Sequence, residues 1–262
     1  MTLRQDDNKQ TCLVAPADTQ SEQRAQRLAR DWGLELATPE APPGLRLWVS
    51  LEDVRLGDSR AGAAGPVRVD FQEPALLRRL RQPGGAREPL LRAVGARRGV
   101  RPHIIDATGG LGRDAALLAA SGCAVWLLER STVVSALLAD GLQRAATDPR
   151  LEGLCQRLAI ANHDARSRLM HTDRERPEVI YLDPMYAADG PGSRSGKAMQ
   201  HLQALLGTDP DAGDLFALAL DAASRRVVVK RQRRAAPLAG KAPAFSCGGT
   251  STRFDVYLRD QS

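Results

Sequence analysis

Apolar and polar positions alternate in two rhythms along the 262-residue chain, and the change between them falls near residue 72. In the first part, Thr11 to Pro16 is apolar enough for a short strand. From Ser21 to Trp32, the positions Ala25, Leu28, Ala29 and Trp32 recur at helical spacing, with Ser21 as N-cap and Gly33 as the stop. That spacing makes Trp32 a core anchor for the helix. Leu45 to Leu51, Val54 to Leu56 and Val67 to Phe71 alternate apolar with polar residues, which predicts a small antiparallel sheet with one wet face.

Residues 74–101 read as two helical pieces, with Leu76, Leu77 and Leu80 on one stripe and Leu90, Leu91 and Val94 on the other, broken by Pro83-Gly84-Gly85. Beyond residue 100 short apolar runs alternate with amphipathic stretches. Strands are predicted to end at Asp106, Glu129, Ala161, Asp183 and Lys230. Helices are predicted after the glycine turn at 109–112 and over 132–146, 197–206 and 211–223. Thr252 to Leu258 alternates again and should pair with a strand near 243–247 as an edge hairpin. The order predicts an α/β fold: a small N-terminal α+β domain over 1–84, with a basic helix as a candidate RNA contact, and a Rossmann-like domain over 85–262.

The first strand, the turn after it and the second strand carry a nucleotide-binding pattern. Gly109, Gly110 and Gly112 let the backbone bend tightly and approach a ligand. Glu129, at the tip of the second strand, is placed to accept both hydroxyls of a ribose. Asp164 follows the third strand, where a loop acid faces an adenine edge; an Asx-turn or N-cap aspartate fits the same sequence.

Composition changes this picture in one respect. The hydrophobic share of 43% is that of an ordinary globular chain, but 37 Lys and Arg against 31 Asp and Glu leave a net charge of +6. The excess favours an anionic partner, and nucleic acid is the commonest. Eight arginines lie within 74–101 (Arg78, Arg79, Arg81, Arg87, Arg92, Arg97, Arg98 and Arg101) with no matching acids nearby, and Arg231, Arg233 and Arg234 form a second cluster. Both are expected to meet RNA phosphates. Cys12, Cys123, Cys155 and Cys247 lack metal-ligand or disulfide spacing and read as reduced thiols, so no metal is expected. With no leader pattern and no apolar run of about 18 residues, a cytoplasmic protein without membrane spans is expected.

The second diagnostic stretch is Leu182-Asp183-Pro184-Met185-Tyr186, at the carboxyl end of the fourth strand. In an open α/β sheet that edge borders the crevice where the glycine turn holds its ligand. A carboxylate and a proline carbonyl there each accept one N–H of a planar amino group, while Tyr186 stacks on the attached base. An exocyclic amino nitrogen is a poor nucleophile because its lone pair is delocalised into the ring. Two acceptors orient it and return electron density to it, and positioning then supplies most of the acceleration.

Asp106 to Asp114, Leu128-Glu129-Arg130, Leu182 to Tyr186, Arg226-Val-Val-Val-Lys230-Arg231 and Arg253 to Tyr257 together closely resemble the ribosomal RNA small subunit methyltransferase J family, over residues 21–258. The resemblance implies a class I S-adenosylmethionine-dependent methyltransferase sheet with an antiparallel C-terminal hairpin. It implies transfer of a methyl group from S-adenosyl-L-methionine to the 2-amino group of one guanine near the 3′ end of 16S rRNA, with 16S rRNA or the small ribosomal subunit as partner. Cofactor contacts carry over to Asp106, Gly110, Gly112, Arg113, Asp114, Glu129, Arg130, Asp164, Ala165 and Asp183, and the catalytic set to Asp183, Pro184 and Tyr186. The chain departs from the family at 164–165, where relatives have small hydroxyl residues. The competing classes are an amino methyltransferase acting on another RNA or DNA base, a nicotinamide-dependent oxidoreductase, and an RNA-binding module without activity. Asp-Pro-Met-Tyr and the terminal hairpin count against the oxidoreductase, and intact Asp183 and Glu129 against the inactive module.

Overall fold

Five apolar runs become the parallel strands of one large sheet in the computed structural model, which describes residues 11–81, 88–171, 176–184, 197–207, 209–248 and 251–259. They are β4 (His103–Asp106), β5 (Ala124–Glu129), β6 (Leu158–Asn162), β7 (Val179–Leu182) and β8 (Arg226–Gln232). β9 (Phe245–Gly248) and β10 (Thr252–Leu258) complete a seven-stranded sheet in the order β6-β5-β4-β7-β8-β10-β9. The chain steps outward from β4 through β5 to β6, then returns to the other side of β4 as β7. This reversal makes the carboxyl ends of β4 and β7 the switch point of the sheet. β10 runs antiparallel to both β8 and β9, so the expected hairpin is present, with β10 inside the sheet and β9 at its edge.

β-branched and leucine side chains explain why these strands sit centrally. Ile104, Val125, Leu127, Leu128, Ile180, Leu182, Val227, Val228 and Val229 are all buried, and each contributes roughly 1.5–3 kcal/mol of burial. Helices α4 (Arg113–Ala120), α5 (Thr132–Ala145), α6 (Glu152–Cys155), α7 (Ala165–Met170), α8 (Lys197–Leu206) and α9 (Ala212–Ala222) connect them. Helices α2 (Pro74–Arg81) and α3 (Pro89–Val94) precede β4 and bury Leu76, Leu77, Leu80, Leu90, Leu91 and Val94, as their stripes predict. The break at 83–85 and Arg87 lie outside the described residues, as do the first ten residues and all but the last residue of the loop expected over 187–197.

A three-stranded sheet forms from β1 (Leu13–Pro16), β2 (Leu45–Val49) and β3 (Val54–Asp58), with α1 (Glu22–Trp32) between β1 and β2. Four expectations change here. β1 pairs with β2 in parallel, because the intervening helix carries the chain back before β2 begins; only β2 and β3 are antiparallel. The 67–71 strand shrinks to a single bridge between Val67 and Leu56. β2 has no wet face: Leu45, Arg46, Leu47 and Val49 are all buried, and Arg46 is tolerated because its guanidinium donates to the carbonyls of Leu45 and Pro42. Trp32 is only half-buried, and Ala25 and Ala29 carry the packed face of α1. Gly33 ends that helix in the left-handed conformation expected of it, at φ 59°.

The chain divides into two compact units, Met1–Val69 with Ser131–Gly141 and Met185–Asp209, and Asp70–Arg130 with Leu142–Pro184 and Pro210–Ser262. The first therefore includes two later segments, and α2 belongs to the second, whereas a boundary at residue 84 divides the sequence once. Within the first unit, Asp140 accepts from the Arg24 guanidinium at 2.7 Å and from the Val54 N–H at 3.2 Å. Among the described residues no helix is long and apolar enough to cross a membrane, and no cluster of three or more His, Cys, Asp or Glu could hold a metal. Burial pushes the Cys12 thiol up to about 12 and that of Cys123 to about 11, which makes both unreactive.

Candidate active site

The described site residues gather at the switch point, within the second unit. β4 ends at Asp106, and Ala107 keeps the strand in register by donating to the Tyr181 carbonyl of β7 at 3.0 Å. Thr108 follows, and its hydroxyl accepts from the Asp183 N–H at 2.6 Å. A side chain in the glycine turn thus fixes where β7 ends.

The turn itself presses on β5. A Cβ at Gly109 would lie 2.4 Å from Leu127 Cδ2 and 3.2 Å from Glu129 Cβ. Gly110 and Gly112 have φ of 50° and 70°, a region open to glycine. Gly112 then opens α4, whose first residues are Arg113 and Asp114. Glu129 is buried at the end of β5, and its Oε2 accepts from the Gly110 N–H at 2.9 Å. The glycine turn packed against β5 and the strand-end carboxylate suit an adenosine: the turn holds Glu129 in place, and the acid supplies acceptors for ribose hydroxyls.

Beyond β5 and β6 the charged residues are braced to one another. Arg130 donates to Asp211 at 2.8 Å, and Arg166 reaches both Asp211 (2.7 Å) and Asp164 (2.6 Å). Asp164 also accepts from the Arg166 N–H at 2.9 Å as the N-cap of α7, whose first residue is the buried Ala165. Of the two readings of Asp164, the structure displays the cap. The Arg166 guanidinium holds its carboxyl below the usual range.

The other side of the site centres on a residue the sequence did not single out. Lys230, near the carboxyl end of β8, donates to Asp183 Oδ2 and to Asp114 Oδ2, both at 2.8 Å. Tyr181 donates its hydroxyl to the same Asp114 oxygen at 2.8 Å, and Arg79 lies 3.6 Å from Asp114 Oδ1. Burial alone would lower the Lys230 pKa, but the charges of Asp183 and Asp114 outweigh it and raise it. Burial opposes ionisation of Asp114, and the Lys230 charge again wins, so its carboxyl stays below the usual range. Side-chain exposure rises from 12% at Asp114 through 27% at Lys230 to 39% at Asp183. Asp183 is therefore the outward member of a charge relay anchored in the core. Asp106 lies beneath, and burial, with the charges of Asp114, Asp183 and Glu129 outweighing the Thr108 N–H, pushes its carboxyl up to about 7.

Asp106, Gly110, Gly112, Asp114, Glu129 and Asp183 gather around the switch point, with the buried Pro184 next in the chain. Asp114 turns its carboxylate to Lys230 and Tyr181, whereas Arg113 reaches out to Glu73 at 2.7 Å. Arg130, Asp164 and Ala165 stand at the ends of β5 and β6. Tyr186 lies outside the described residues. Of the arginine-rich segment, Arg79 does have acids nearby, Glu88 at 3.0 Å as well as Asp114. Arg97 and Arg101 precede the first residue of β4, at the amino edge of the sheet. Lys230 ends an apolar run in the sequence as the site acids do, but its partners lie 47 and 116 residues away, so its role is not local.

A seven-stranded sheet with this order and inserted antiparallel strand, a glycine turn after its first parallel strand and an acid closing the second define a Rossmann-like methyltransferase. The family model described as "Putative SAM-dependent methyltransferase" matches residues 27–259. The chain is 44% identical to ribosomal RNA small subunit methyltransferase J of Thioalkalivibrio sulfidiphilus, over 90% of this chain and 93% of that one. It is 40% identical to the protein of the same name from Stutzerimonas stutzeri, over 88% and 90% of the two chains. A crystal structure of a SAM-dependent methyltransferase from Neisseria gonorrhoeae superposes with a TM-score of 0.75 at 31% identity, covering 96% of this chain and 97% of that one. The chain belongs to the ribosomal RNA small subunit methyltransferase J family, and its cofactor is S-adenosylmethionine.

Proposed function

We propose that the protein methylates the exocyclic 2-amino group of one guanine in 16S rRNA, in the cytoplasm, on the rRNA itself or the small ribosomal subunit. The names of its relatives support the RNA class. The observation that carries the chemistry is Asp183 at the switch point beside the glycine turn, its carboxylate accepting from Lys230 at 2.8 Å and its backbone N–H donating to the Thr108 hydroxyl.

S-adenosylmethionine, when bound, supplies an electrophilic methyl group on a good leaving group. Glu129 accepts from the ribose hydroxyls, and the glycine turn holds it in place. Arg130, Asp164 and Ala165 line the adenine end. The target guanine is turned out of its stack, and Tyr186 packs on its ring face. Asp183 accepts one amino N–H and the Pro184 carbonyl the other, which turns the nitrogen lone pair outward. As positive charge builds on nitrogen, the anionic acceptor strengthens its hold, a stabilisation confined to the transition state. Lys230 positions the Asp183 carboxylate, and is itself backed by Asp114, which Tyr181 holds in turn.

A single-turnover methyl-transfer assay on small subunits tests this reading. Asp183→Asn preserves shape but replaces the anion with a neutral amide. Its rate should fall by roughly 10²–10³, with RNA affinity changed much less. Lys230→Met should also slow transfer, and adding it to Asp183→Asn should cost little further, because the two act through one carboxylate. A near-normal rate for Asp183→Asn would remove Asp183 from the active site. Additive losses would leave Lys230 as a purely structural residue.

A further inference from the structure

The sheet sorts the exposed arginines of the second unit by edge. Asp183 follows the carboxyl end of β7, and β8 runs parallel to β7 with Leu182 opposite Val229. Lys230 and the turn after it therefore emerge on the catalytic edge. That turn is cross-braced. Arg231 donates to the Ala236 carbonyl at 2.6 and 3.0 Å, and Arg253 of β10 donates to the carbonyls of Gln232 (3.2 Å) and Arg233 (2.7 Å). The Arg233 N–H adds a bond to Ser251 O at 3.0 Å. At its tip Arg233 and Arg234 are exposed and, among the described residues, have no acidic partner. Three residues of extended chain span at most about 11 Å, so Arg233 lies within that distance of Lys230, whose ammonium holds Asp183.

Arg97, Arg98 and Arg101 are placed otherwise. A short turn closed by Arg97 and Val100 brings the chain to His103, the first residue of β4, and Arg101 donates back to the Val100 carbonyl at 2.9 Å. Arg101 also packs against Gly122, just ahead of β5. These three arginines belong to the amino edge, with the length of the strands between them and the catalytic edge.

We propose that the braced turn over 231–236 is the RNA-docking edge of this methyltransferase. Arg233 and Arg234 hold the phosphates of the single-stranded nucleotides flanking the target base, and Arg97, Arg98 and Arg101 take no part. The proposal rests on the substrate reading above and adds the surface that serves it. Two guanidinium groups fix the turn, so the two at its tip meet phosphates from a preformed loop and lose little freedom on binding. A base turned out of its stack leaves its neighbours single-stranded, and an exposed basic turn close to the acceptor carboxylate suits that backbone.

The test is the salt dependence of binding to a fluorescein-labelled single-stranded RNA, together with single-turnover methylation of small subunits. Arg233→Gln with Arg234→Gln should make the slope of log K against log salt shallower by about 1.4, at about 0.7 for each single-strand phosphate contact. The substrate concentration for half-maximal rate should rise while the rate at saturation holds. Arg233→Lys with Arg234→Lys should keep the wild-type slope, which shows that charge and not fold is read. Arg97→Gln, Arg98→Gln and Arg101→Gln together should leave the slope as in the wild type. Unchanged S-adenosylmethionine affinity in each variant reports an intact site. A wild-type slope in the Arg233/Arg234 glutamine variant, or an equal loss from the amino-edge set, overturns the proposal. If the wild-type protein neither binds RNA in a salt-dependent way nor methylates small subunits, the substrate reading falls, and this surface with it.

Discussion

Asp106 shows how one buried side chain couples the site to pH. A free aspartate titrates near 4, whereas burial, joined by the charges of Asp114, Asp183 and Glu129, pushes Asp106 up to about 7. Between those values the folded protein holds a proton that the unfolded chain has lost. Stability from this group is therefore present at low pH, declines as pH rises from about 4 to about 7, and stays lost above that. Asp106→Asn removes the ionisation while keeping a side-chain oxygen for the Thr108 N–H, which now lies 3.1 Å from Asp106 Oδ1. Relative to the wild type, the variant should gain roughly 2–3 kcal/mol between about pH 5 and about pH 8. Urea midpoints at the two pH values check this, and a constant difference would show that Asp106 does not titrate in that range. At this scale the sequence was half legible. Asp106, Glu129 and Asp183 stand out as acids ending apolar runs, a local signal. The burial that shifts Asp106 and the ammonium that grips Asp183 come from strands far apart in the chain, and no local pattern announces them.

Elements were legible where one period dominates. Apolar runs of four to six residues, each followed by a helical stretch, mark β4, β5, β6 and β7 without ambiguity. Pairing direction was less visible: β1 and β2 both look like half-buried strands, and only the course of α1 between them makes the pair parallel. Trp32 has helical spacing, yet Ala25 and Ala29 are the residues that pack, because the small side chains bring the helix close. The glycine turn carries a prediction at this scale. Gly109 has no room for a Cβ against Leu127 and Glu129, while nothing lies within 4 Å of a Cβ at Gly213 in α9. Gly109→Ala should destabilise by roughly 1–3 kcal/mol through overpacking and weaken S-adenosylmethionine binding by displacing Glu129. Gly213→Ala, in a helix with open space, should stabilise by about 0.5–1 kcal/mol. Opposite signs in chemical denaturation are the expected result, and two equal effects would mean that the turn is slack enough to absorb a methyl group.

At the scale of the whole molecule, the described site residues come from five separate stretches, 106–114, 129–130, 164–165, 183–184 and 230, yet these fall in the second compact unit. Strand order explains the gathering: β4, β5, β6 and β7 are neighbours in the sheet, and each offers its carboxyl end. That much follows from alternating strands and helices with acids at the strand tips. The first unit's recruitment of 131–141 does not, because Asp140 meets Arg24 and Val54 only across more than 80 residues of sequence. A ligand that binds the folded site and not the unfolded chain must stabilise the unit that holds it. With free S-adenosylmethionine at a hundredfold excess over its Kd, the gain is about 2.7 kcal/mol. It should appear as slower amide hydrogen exchange in β4, β5 and β7. Glu129→Ala removes a charged acceptor from two ribose hydroxyls and should weaken binding by roughly 2–4 kcal/mol. At the same ligand concentration that variant should retain less than about 1 kcal/mol of the stabilisation, with exchange in those strands close to its ligand-free rate. Equal protection in the variant and the wild type would show that the strand-end acid does not hold the ribose and that the cofactor lies elsewhere on the sheet.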